Sequence, residues 1–225
     1  MRVVSAAEFF EAIARRYDRA YALDAATTRA RMKRVLAGLP PAPARVLDLG
    51  VGTGRELAAL QDARYEVTGV DVSPAMLALC ARRARPIALV EADLWEPLPF
   101  GDASFDAVIA LHGTLAHPPE RAAYARLARE IARVVRPGGA FLAEVPAQAW
   151  VRQLAGAGVE AGDGRIVRLA EDRLLHEDRT AGVAIEAVVP GDEEWRATLA
   201  EGFDVECEAL GEAETLVVGR RRDRA

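Results

Sequence analysis

The sequence predicts a single doubly wound α/β domain, in which a mostly parallel sheet carries helices on both faces. Three observations indicate this fold: short apolar segments alternate with helical patterns, a glycine cluster follows the first apolar segment, and turn residues divide the segments. Strands that alternate with helices in this way form parallel sheets covered on both faces. The chain has 225 residues, 51% of them apolar, and can therefore bury one sizeable core.

The single domain has four predicted regions. They are an N-terminal helical cap, a core of alternating strands and helices, a small lid insertion, and a C-terminal helix with a strand pair, at residues 1–43, 44–146, 147–191 and 192–225. The proline-rich residues 40–43 end the helical pattern of the cap before the first strand begins.

The core region carries the clearest secondary-structure patterns. Strand candidates lie at residues 45–50, 66–71, 87–93, 105–112 and 140–145, with a helix at residues 55–63 between the first two. Ser73-Pro74 predicts a second helix, because serine caps a helix and proline suits its first position. Pro118-Pro119-Glu120 predicts a third helix in the same way, and residues 136–139 end its apolar stripe.

The periodicity loosens after Ala147. A short helix is followed by extended segments at residues 165–176 and 183–189, divided by turns at Asp163-Gly164 and Ala181-Gly182, and this stretch is the predicted lid. A helix at residues 192–201 then leads to strands at residues 203–210 and 214–219. A tight turn at Gly211 joins these two strands, which predicts an antiparallel pair.

Composition excludes several function classes. The net charge of −5 opposes a nucleic-acid partner, because binding to phosphates depends on lysine and arginine. Cys80 and Cys207 are far apart and have no metal-ligand spacing, so neither a disulfide framework nor a metal site is expected. The N-terminus carries acids where a signal peptide is apolar, and no apolar stretch reaches membrane-spanning length. We expect a cytoplasmic protein with no membrane partner.

The glycine cluster after the first strand reads Asp48-Leu49-Gly50-Val51-Gly52-Thr53-Gly54. Glycines here let backbone approach a ligand closely, although a tight structural turn explains them as well. A dinucleotide fingerprint that starts at Gly50 needs its third glycine at position 55, where this chain has Arg55. The pattern is instead G-x-G-x-G, two residues after an acid.

At this point the sequence resembles the class I S-adenosylmethionine-dependent methyltransferases. The resemblance rests on VLDLGVGTGREL, VTGVDVSPAMLALCARR, VEADLWEPLPF, FDAVIALHGTLAH and RPGGAFLAEVP, which follow one another in the family's order over residues 45–146. It implies a seven-stranded sheet with an antiparallel last strand. It also implies S-adenosyl-L-methionine as cofactor and S-adenosyl-L-homocysteine as product.

Three acids have roles that this resemblance implies. Asp71 ends the second strand, where its carboxylate can accept hydrogen bonds from both ribose hydroxyls; a helix N-terminal acid is the alternative. Asp93 ends the third strand and receives the adenine amino group, unless it is a surface-turn acid. Asp48 holds the methionine ammonium directly or through water, unless the amides of the glycine loop satisfy it.

The remaining cofactor candidates surround these acids. Val72 and Met76 pack on the adenine, although Met76 at this spacing also suits an ordinary core. The Leu94 backbone meets a ring nitrogen, and Tyr17 of the cap helix closes over the methionine moiety. The other candidates are Gly50, Gly52 and Leu111.

Two histidines after the fourth strand are candidate catalytic residues. His112 and His117 lie where the family places the methyl acceptor, and either can act as general base if the acceptor is a hydroxyl. For His112 the alternative is a backbone lining role, and for His117 a place in a loop before a helix. His176 on the predicted lid is a third, weaker candidate.

These observations favour transfer of a methyl group to an O or N atom of a small molecule, ahead of a C atom, by in-line displacement. Two alternatives stay open. One is an NAD-dependent oxidoreductase on the same sheet type, which Arg55 disfavours. The other is a protein that binds S-adenosylmethionine without turnover. The sequence identifies neither the acceptor nor the oligomeric state.

Overall fold

The computed structural model describes residues 1–83, 85–154, 158–161 and 164–223. Its helices are α1 (Ala6–Ile13), α2 (Tyr17–Ala20), α3 (Ala25–Gly38), α4 (Leu57–Asp62), α5 (Pro74–Cys80), α6 (Ala123–Val134), α7 (Gln148–Gln153) and α8 (Asp192–Leu199). Its strands are β1 (Arg2–Val3), β2 (Arg45–Leu49), β3 (Glu66–Asp71), β4 (Ala88–Glu91), β5 (Phe105–Ala110), β6 (Val135–Pro146), β7 (Val159–Ala161), β8 (Gly164–Ala170), β9 (Arg173–Asp178), β10 (Val183–Val188), β11 (Phe203–Ala209) and β12 (Glu214–Arg221).

The main sheet has seven strands in the order β11-β12-β6-β5-β2-β3-β4. Strands β2 to β6 pair in parallel, whereas β12 runs antiparallel to both β6 and β11. Strand order reverses beside β2, so the crevice beyond the carboxyl ends of β2 and β5 is the place where doubly wound sheets bind ligands. The predicted doubly wound sheet and its antiparallel last strand are confirmed.

Helices cover the sheet on both faces. Helices α6 and α8 bury Leu127, Ile131 and Trp195 on one face, and α3 and α4 bury Val35 and Leu60 on the other. The apolar stripe predicted for α6 is buried along its length, which is the energetic reason that this amphipathic segment folds as a helix on the sheet.

Several element boundaries differ from the prediction. Helix α6 begins at Ala123 and not at Pro118-Pro119, because residues 118–122 form a bend and turn before it. Strand β6 begins at Val135 and contains residues 136–139, which form a bulge where the register with β5 shifts. Strand β5 ends at Ala110, because the φ angles of His112 and Gly113, 54° and 74°, lie outside the range of regular extended backbone.

A second, five-stranded sheet is formed by β1 and β7 to β10, in the order β1-β10-β9-β8-β7, and is called the roof sheet below. The extended segment predicted at residues 165–176 is divided by a turn at Glu171-Asp172 into β8 and β9. The turn at Ala181-Gly182 is confirmed. In the other predicted turn, Asp163 lies outside the described residues and Gly164 begins β8.

The N-terminus belongs to the roof sheet, which the sequence did not predict. Arg2 and Val3 form β1 and pair in parallel with Val183 and Ala184 of β10. A buried ion pair between Arg16 and Asp178, at 2.5 Å, joins the cap to the roof sheet. Within the described ranges, no helix combines the length and the apolar composition that a bilayer crossing requires.

Candidate functional site

A cavity of about 770 Å³ lies between the main sheet and the roof sheet. Its floor is formed by residues that follow β2, β3 and β4, and its roof by α1, β1 and β10. The size is within the usual range for small-molecule sites, roughly 300–1,000 Å³. Among the residues predicted from sequence, the lining contains Tyr17, Gly50, Gly52, Asp71, Val72, Met76, Asp93, Leu94, His112 and His117.

The glycine loop is held against the neighbouring strand by its backbone. The amides of Gly50 and Val51 both donate to the carbonyl of Val70, at 2.8 and 2.9 Å. Gly50 has a φ of +70°, and a Cβ there would lie 2.5 Å from the side chain of Thr114. Both the backbone conformation and the space therefore require glycine, and the loop presents bare backbone to the cavity.

The carboxylate of Asp71 is fixed by two backbone donors. Its Oδ2 accepts from the Gly52 amide at 2.8 Å and its Oδ1 from the Ser73 amide at 2.9 Å. Burial raises the pKa of Asp71, and these backbone hydrogen bonds oppose the increase. Each carboxylate oxygen has a second lone pair. The residue lines the cavity, so it can accept further hydrogen bonds from a ligand.

Asp48 and Leu111 are outside the lining of this cavity in the described part of the chain. Asp48 is 4% exposed, and burial raises its pKa well above the usual value, with nearby Glu56 and Asp71 adding to the effect. Leu111 lines a smaller neighbouring space of about 250 Å³, and His112 borders both. The three acids are therefore not equivalent: two line the cavity, and Asp48 is buried near the glycine loop.

Asp93 and the residues around it form the far end of the floor. Its Oδ1 accepts a hydrogen bond from the Trp95 amide at 2.9 Å, which closes the turn after β4. Val72, Met76 and Leu94 add apolar surface between Asp71 and Asp93. This end can hold a flat ring with polar edges.

The cap helices are fixed to the floor by side-chain hydrogen bonds. Ser73, the N-cap of α5, donates through Oγ to Glu11 at 2.5 Å, and Thr53 of the glycine loop donates to Asp18 at 2.6 Å. These contacts place the Tyr17 ring in the lining, with the Arg55 guanidinium 6.0 Å from its centroid. Burial raises the pKa of Tyr17 to about 12, so the phenol stays protonated.

His112 belongs to a network of charged groups beneath the cavity. Its Nε2 contacts the carboxylate of Glu56, and its Nδ1 lies 3.2 Å from Nη2 of Arg31, which also pairs with Glu144. Arginine can only donate, so Nδ1 accepts and Nε2 carries the proton that Glu56 receives in a hydrogen bond. Burial opposes ionisation of Glu56, but the hydrogen bond from His112 and the charge of Arg55 lower its pKa below the usual value.

This geometry leaves His112 with both ring nitrogens occupied. A general base needs a free nitrogen lone pair within reach of the substrate proton. The structure therefore supports a positioning role for His112. Its strand-end location was predicted from sequence, but Arg31, Glu56 and Glu144 were not, because no local pattern relates residues from α3, the loop before α4 and β6.

The other two histidines have different surroundings. Nδ1 of His117 lies 2.9 Å from the carbonyl oxygen of Glu186 in β10, and burial lowers the pKa of the imidazole. His176 is held by the Tyr21 hydroxyl at 2.8 Å, and burial lowers its pKa to about 4. His117 lines the cavity, whereas His176 is outside its lining in the described residues.

Several lining residues were not predicted as site residues. They come from α1, from the turn after β4 and from β1 and β10, and include Val4, Phe10, Trp95, Ile185 and Val188. Phe10 lies seven residues, or about two helical turns, before Tyr17 and packs on it edge-to-face, with ring centroids 6.3 Å apart. The helical spacing of the two aromatic residues was the available signal; the strands of the roof gave none.

Comparisons with known proteins identify the family. The profile of a family described as "Methyltransferase domain" matches residues 46–139. A malonyl-[acyl-carrier protein] O-methyltransferase of Halorhodospira halophila is 34% identical over 216 residues, covering 90% of this chain and 69% of that protein. A demethylmenaquinone methyltransferase of Beutenbergia cavernae is 37% identical over 147 residues, covering 64% of this chain. The chain spans only 59% of the length of that relative.

A solved structure is similar over almost the whole fold. The sugar N-methyltransferase KedS8 from a Streptoalloteichus species has a TM-score of 0.74 and 26% identity, covering 92% of each chain. Sequence motifs, sheet order and relatives thus point to the same family. This chain belongs to the class I S-adenosylmethionine-dependent methyltransferases.

Proposed function

We propose that this protein transfers a methyl group from S-adenosylmethionine to an O or N atom of a small molecule. One observation carries the proposal: a cavity of small-molecule size brings together the bare backbone of the glycine loop, Asp71 and Asp93 at the carboxyl ends of neighbouring parallel strands. Ligands bind at this place in doubly wound sheets.

The residues present suit this cofactor. In the proposed complex, Asp71 accepts hydrogen bonds from the ribose hydroxyls, and Asp93 and the Leu94 backbone bind the adenine edge; all of these residues line the cavity together with Val72 and Met76. Gly50 and Gly52 border the place for the methionine moiety. When bound, the cofactor supplies a methyl group on a positively charged sulfur.

Charge favours a cationic ligand on this floor. Burial raises the pKa of Asp48 well above its usual value, and the nearby charges of Glu56 and Asp71 add to the effect. A ligand ammonium group near the glycine loop compensates the negative charge of Asp48 and favours the ionised carboxylate. No such compensation comes from an anionic pyrophosphate, so the floor suits S-adenosylmethionine better than a dinucleotide.

The roof side of the cavity suits a small acceptor with an apolar body. Phe10, Pro118, Ile185 and Val188 face this space. In methyl transfer the charge on sulfur disappears, so positioning and desolvation can supply much of the rate enhancement. The names of two similar proteins, an acyl-carrier-protein O-methyltransferase and a sugar N-methyltransferase, support O and N among the acceptor atoms. The net charge of −5 argues against a nucleic-acid acceptor.

Binding of S-adenosylhomocysteine tests this function without knowledge of the acceptor. We expect isothermal titration to show binding to the wild type and to Asp62→Ala, whose side chain is 81% exposed on α4. Asp71→Ala should weaken binding at least tenfold, since hydrogen bonds to a charged group contribute roughly 1.5–3 kcal/mol each. Asp71→Asn keeps the shape of the side chain and an acceptor for one of the two backbone amides, but it removes the negative charge. Equal affinity in all four proteins contradicts the assignment.

A further inference from the structure

We propose that His117 is the general base of this enzyme and that its methyl acceptor is a hydroxyl group on an apolar molecule. This inference rests on the proposed methyl-transfer function. It goes beyond that function by choosing one proton acceptor and one acceptor chemistry.

The hydrogen bond of His117 to the roof fixes its tautomer. A carbonyl oxygen can only accept, so Nδ1, 2.9 Å from the Glu186 carbonyl, must carry the proton. The lone pair of the neutral ring is therefore on Nε2. Nε2 has no hydrogen-bond partner among the described residues. It is not one of the fully buried polar atoms without a partner, so it is accessible. Because His117 lines the cavity, this lone pair is available to a ligand there.

The other histidines do not offer a comparable lone pair. Both ring nitrogens of His112 are engaged, by Arg31 and by Glu56. His176 is engaged through Nε2 by Tyr21 and lies against the ring of Phe9, with ring centroids 5.4 Å apart. His117 is thus the histidine of the described cavity lining whose arrangement matches a general base oriented by a second group.

The surroundings of His117 favour its neutral form. Phe10 packs edge-to-face against the ring, with centroids 5.6 Å apart, and burial lowers the pKa of the imidazole. The titratable groups nearby are His176 in β9, whose pKa is lowered in part by His117, and Tyr17 and His112, which share the cavity lining. The charged groups in the lining are Asp71, Asp93, Glu120, Arg121, Arg173 and Glu186, and Arg173 pairs with Glu186. At neutral pH the ring can therefore accept a proton.

The proton balance explains why a hydroxyl needs this base. The acceptor oxygen forms a bond to the methyl carbon as the methyl–sulfur bond breaks, the sulfur keeps the bonding electron pair, and the hydroxyl proton passes to Nε2. An ether oxygen that kept its proton would be a strong acid, so the proton has to leave during attack. A neutral amine attacks through its lone pair and can lose its proton afterwards to water.

Two measurements that need no acceptor test the geometry. We expect nitrogen NMR of histidine-labelled protein to show His117 as the Nδ1–H tautomer with a pKa below the usual value of about 6.5. Diethyl pyrocarbonate, which acylates unprotonated imidazole, should modify His117 faster than His112 or His176 in peptide mapping. An Nε2–H tautomer of His117, or resistance to acylation, overturns the proposal.

A kinetic comparison tests the role. His117→Asn keeps an N–H donor for the Glu186 carbonyl but removes the base; His176→Gln is the matched control. With phenol as probe acceptor, kcat of His117→Asn should fall by about 100-fold to 10,000-fold. Its S-adenosylhomocysteine affinity should be unchanged, and the acidic limb of the kcat/KM profile should disappear. With aniline, the effect should be below tenfold.

The outcomes separate this inference from the function on which it depends. If the wild type does not bind S-adenosylhomocysteine, the proposed function fails. If it binds and methylates phenol but His117→Asn is equally active, only the role of His117 fails. If neither probe acceptor is methylated, the tautomer and acylation measurements decide the role of His117: an Nε2–H tautomer or resistance to acylation rejects it.

Discussion

The floor and the roof of the cavity are built in different ways. On the floor, backbone groups fix each important part: Gly50 and Val51 donate to Val70, and Asp71 accepts from Gly52 and Ser73. The roof depends on side-chain packing between distant segments, such as Phe10 against His117. A floor made of backbone suits one invariant ligand, whereas side chains on a roof can change with the acceptor without disturbing the floor.

The largest effect on the free energy of unfolding should come from the network of charged groups around His112. Arg31 is 12% exposed in its side chain and pairs with Glu144, which is 4% exposed. Arg31→Ala leaves Glu144 as an uncompensated buried charge, and we expect a loss of about 3–5 kcal/mol in the free energy of unfolding. Arg34→Ala, on the same helix, removes an exposed pair with Glu208 and should cost about 1 kcal/mol or less. Urea denaturation measures both, and equal losses contradict the network.

The next effect tests whether the floor depends on backbone shape. Gly50→Ala combines a left-handed backbone with a clash against Thr114, whose hydroxyl donates to the Leu111 carbonyl at 2.8 Å. We expect at least a 100-fold loss of S-adenosylhomocysteine affinity by titration. Gly182→Ala has a similar φ of +69° but nothing within 4 Å of the added carbon. Backbone strain should lower the free energy of unfolding of Gly182→Ala by about 1–2 kcal/mol, and its affinity for S-adenosylhomocysteine should be that of the wild type. Affinity that survives in Gly50→Ala contradicts a backbone-built floor.

A substitution in the roof should weaken binding of the acceptor and leave the affinity for S-adenosylhomocysteine unchanged. Phe10→Ala removes apolar surface from the roof side, so we expect a higher KM for phenol and an S-adenosylhomocysteine affinity within threefold of the wild type. Leu169→Ala changes a roof-sheet residue that is 49% exposed and serves as control. If Phe10→Ala weakens binding of S-adenosylhomocysteine and leaves the KM for phenol unchanged, the division into floor and roof is wrong.

The smallest effect is expected for Asp48→Asn, which should stabilise the ligand-free protein but weaken binding of S-adenosylhomocysteine. The pKa of Asp48 is raised in the folded protein. The contribution of Asp48 to the free energy of unfolding is therefore most favourable below about pH 4, where the side chain is protonated in both states. That contribution is lost as the pH rises through the pKa of the folded protein. Asp48→Asn should therefore raise the ligand-free Tm at pH 7, and this gain should vanish near pH 4. The same variant should bind S-adenosylhomocysteine more weakly. A Tm lowered at pH 7 by Asp48→Asn disagrees with this account.

The same division explains what the sequence could predict. Asp71, Asp93 and the glycines lie at or just after the carboxyl end of a strand, so a local pattern was enough to place them at the cavity. Ile185, by contrast, reaches the cavity through pairing of the roof sheet, and a turn at Glu171-Asp172, without glycine or proline, was not recognised. The partners of His112 come from three distant elements, and only tertiary structure shows that they occupy its ring nitrogens.

A crystal structure with S-adenosylhomocysteine tests the central claim most directly. The account predicts that the ribose hydroxyls bind the carboxylate of Asp71, that the adenine edge reaches Asp93 and the Leu94 backbone, and that the amino-acid end lies along the glycine loop. Density for the ligand outside this cavity, or a ribose bound by other residues, contradicts it.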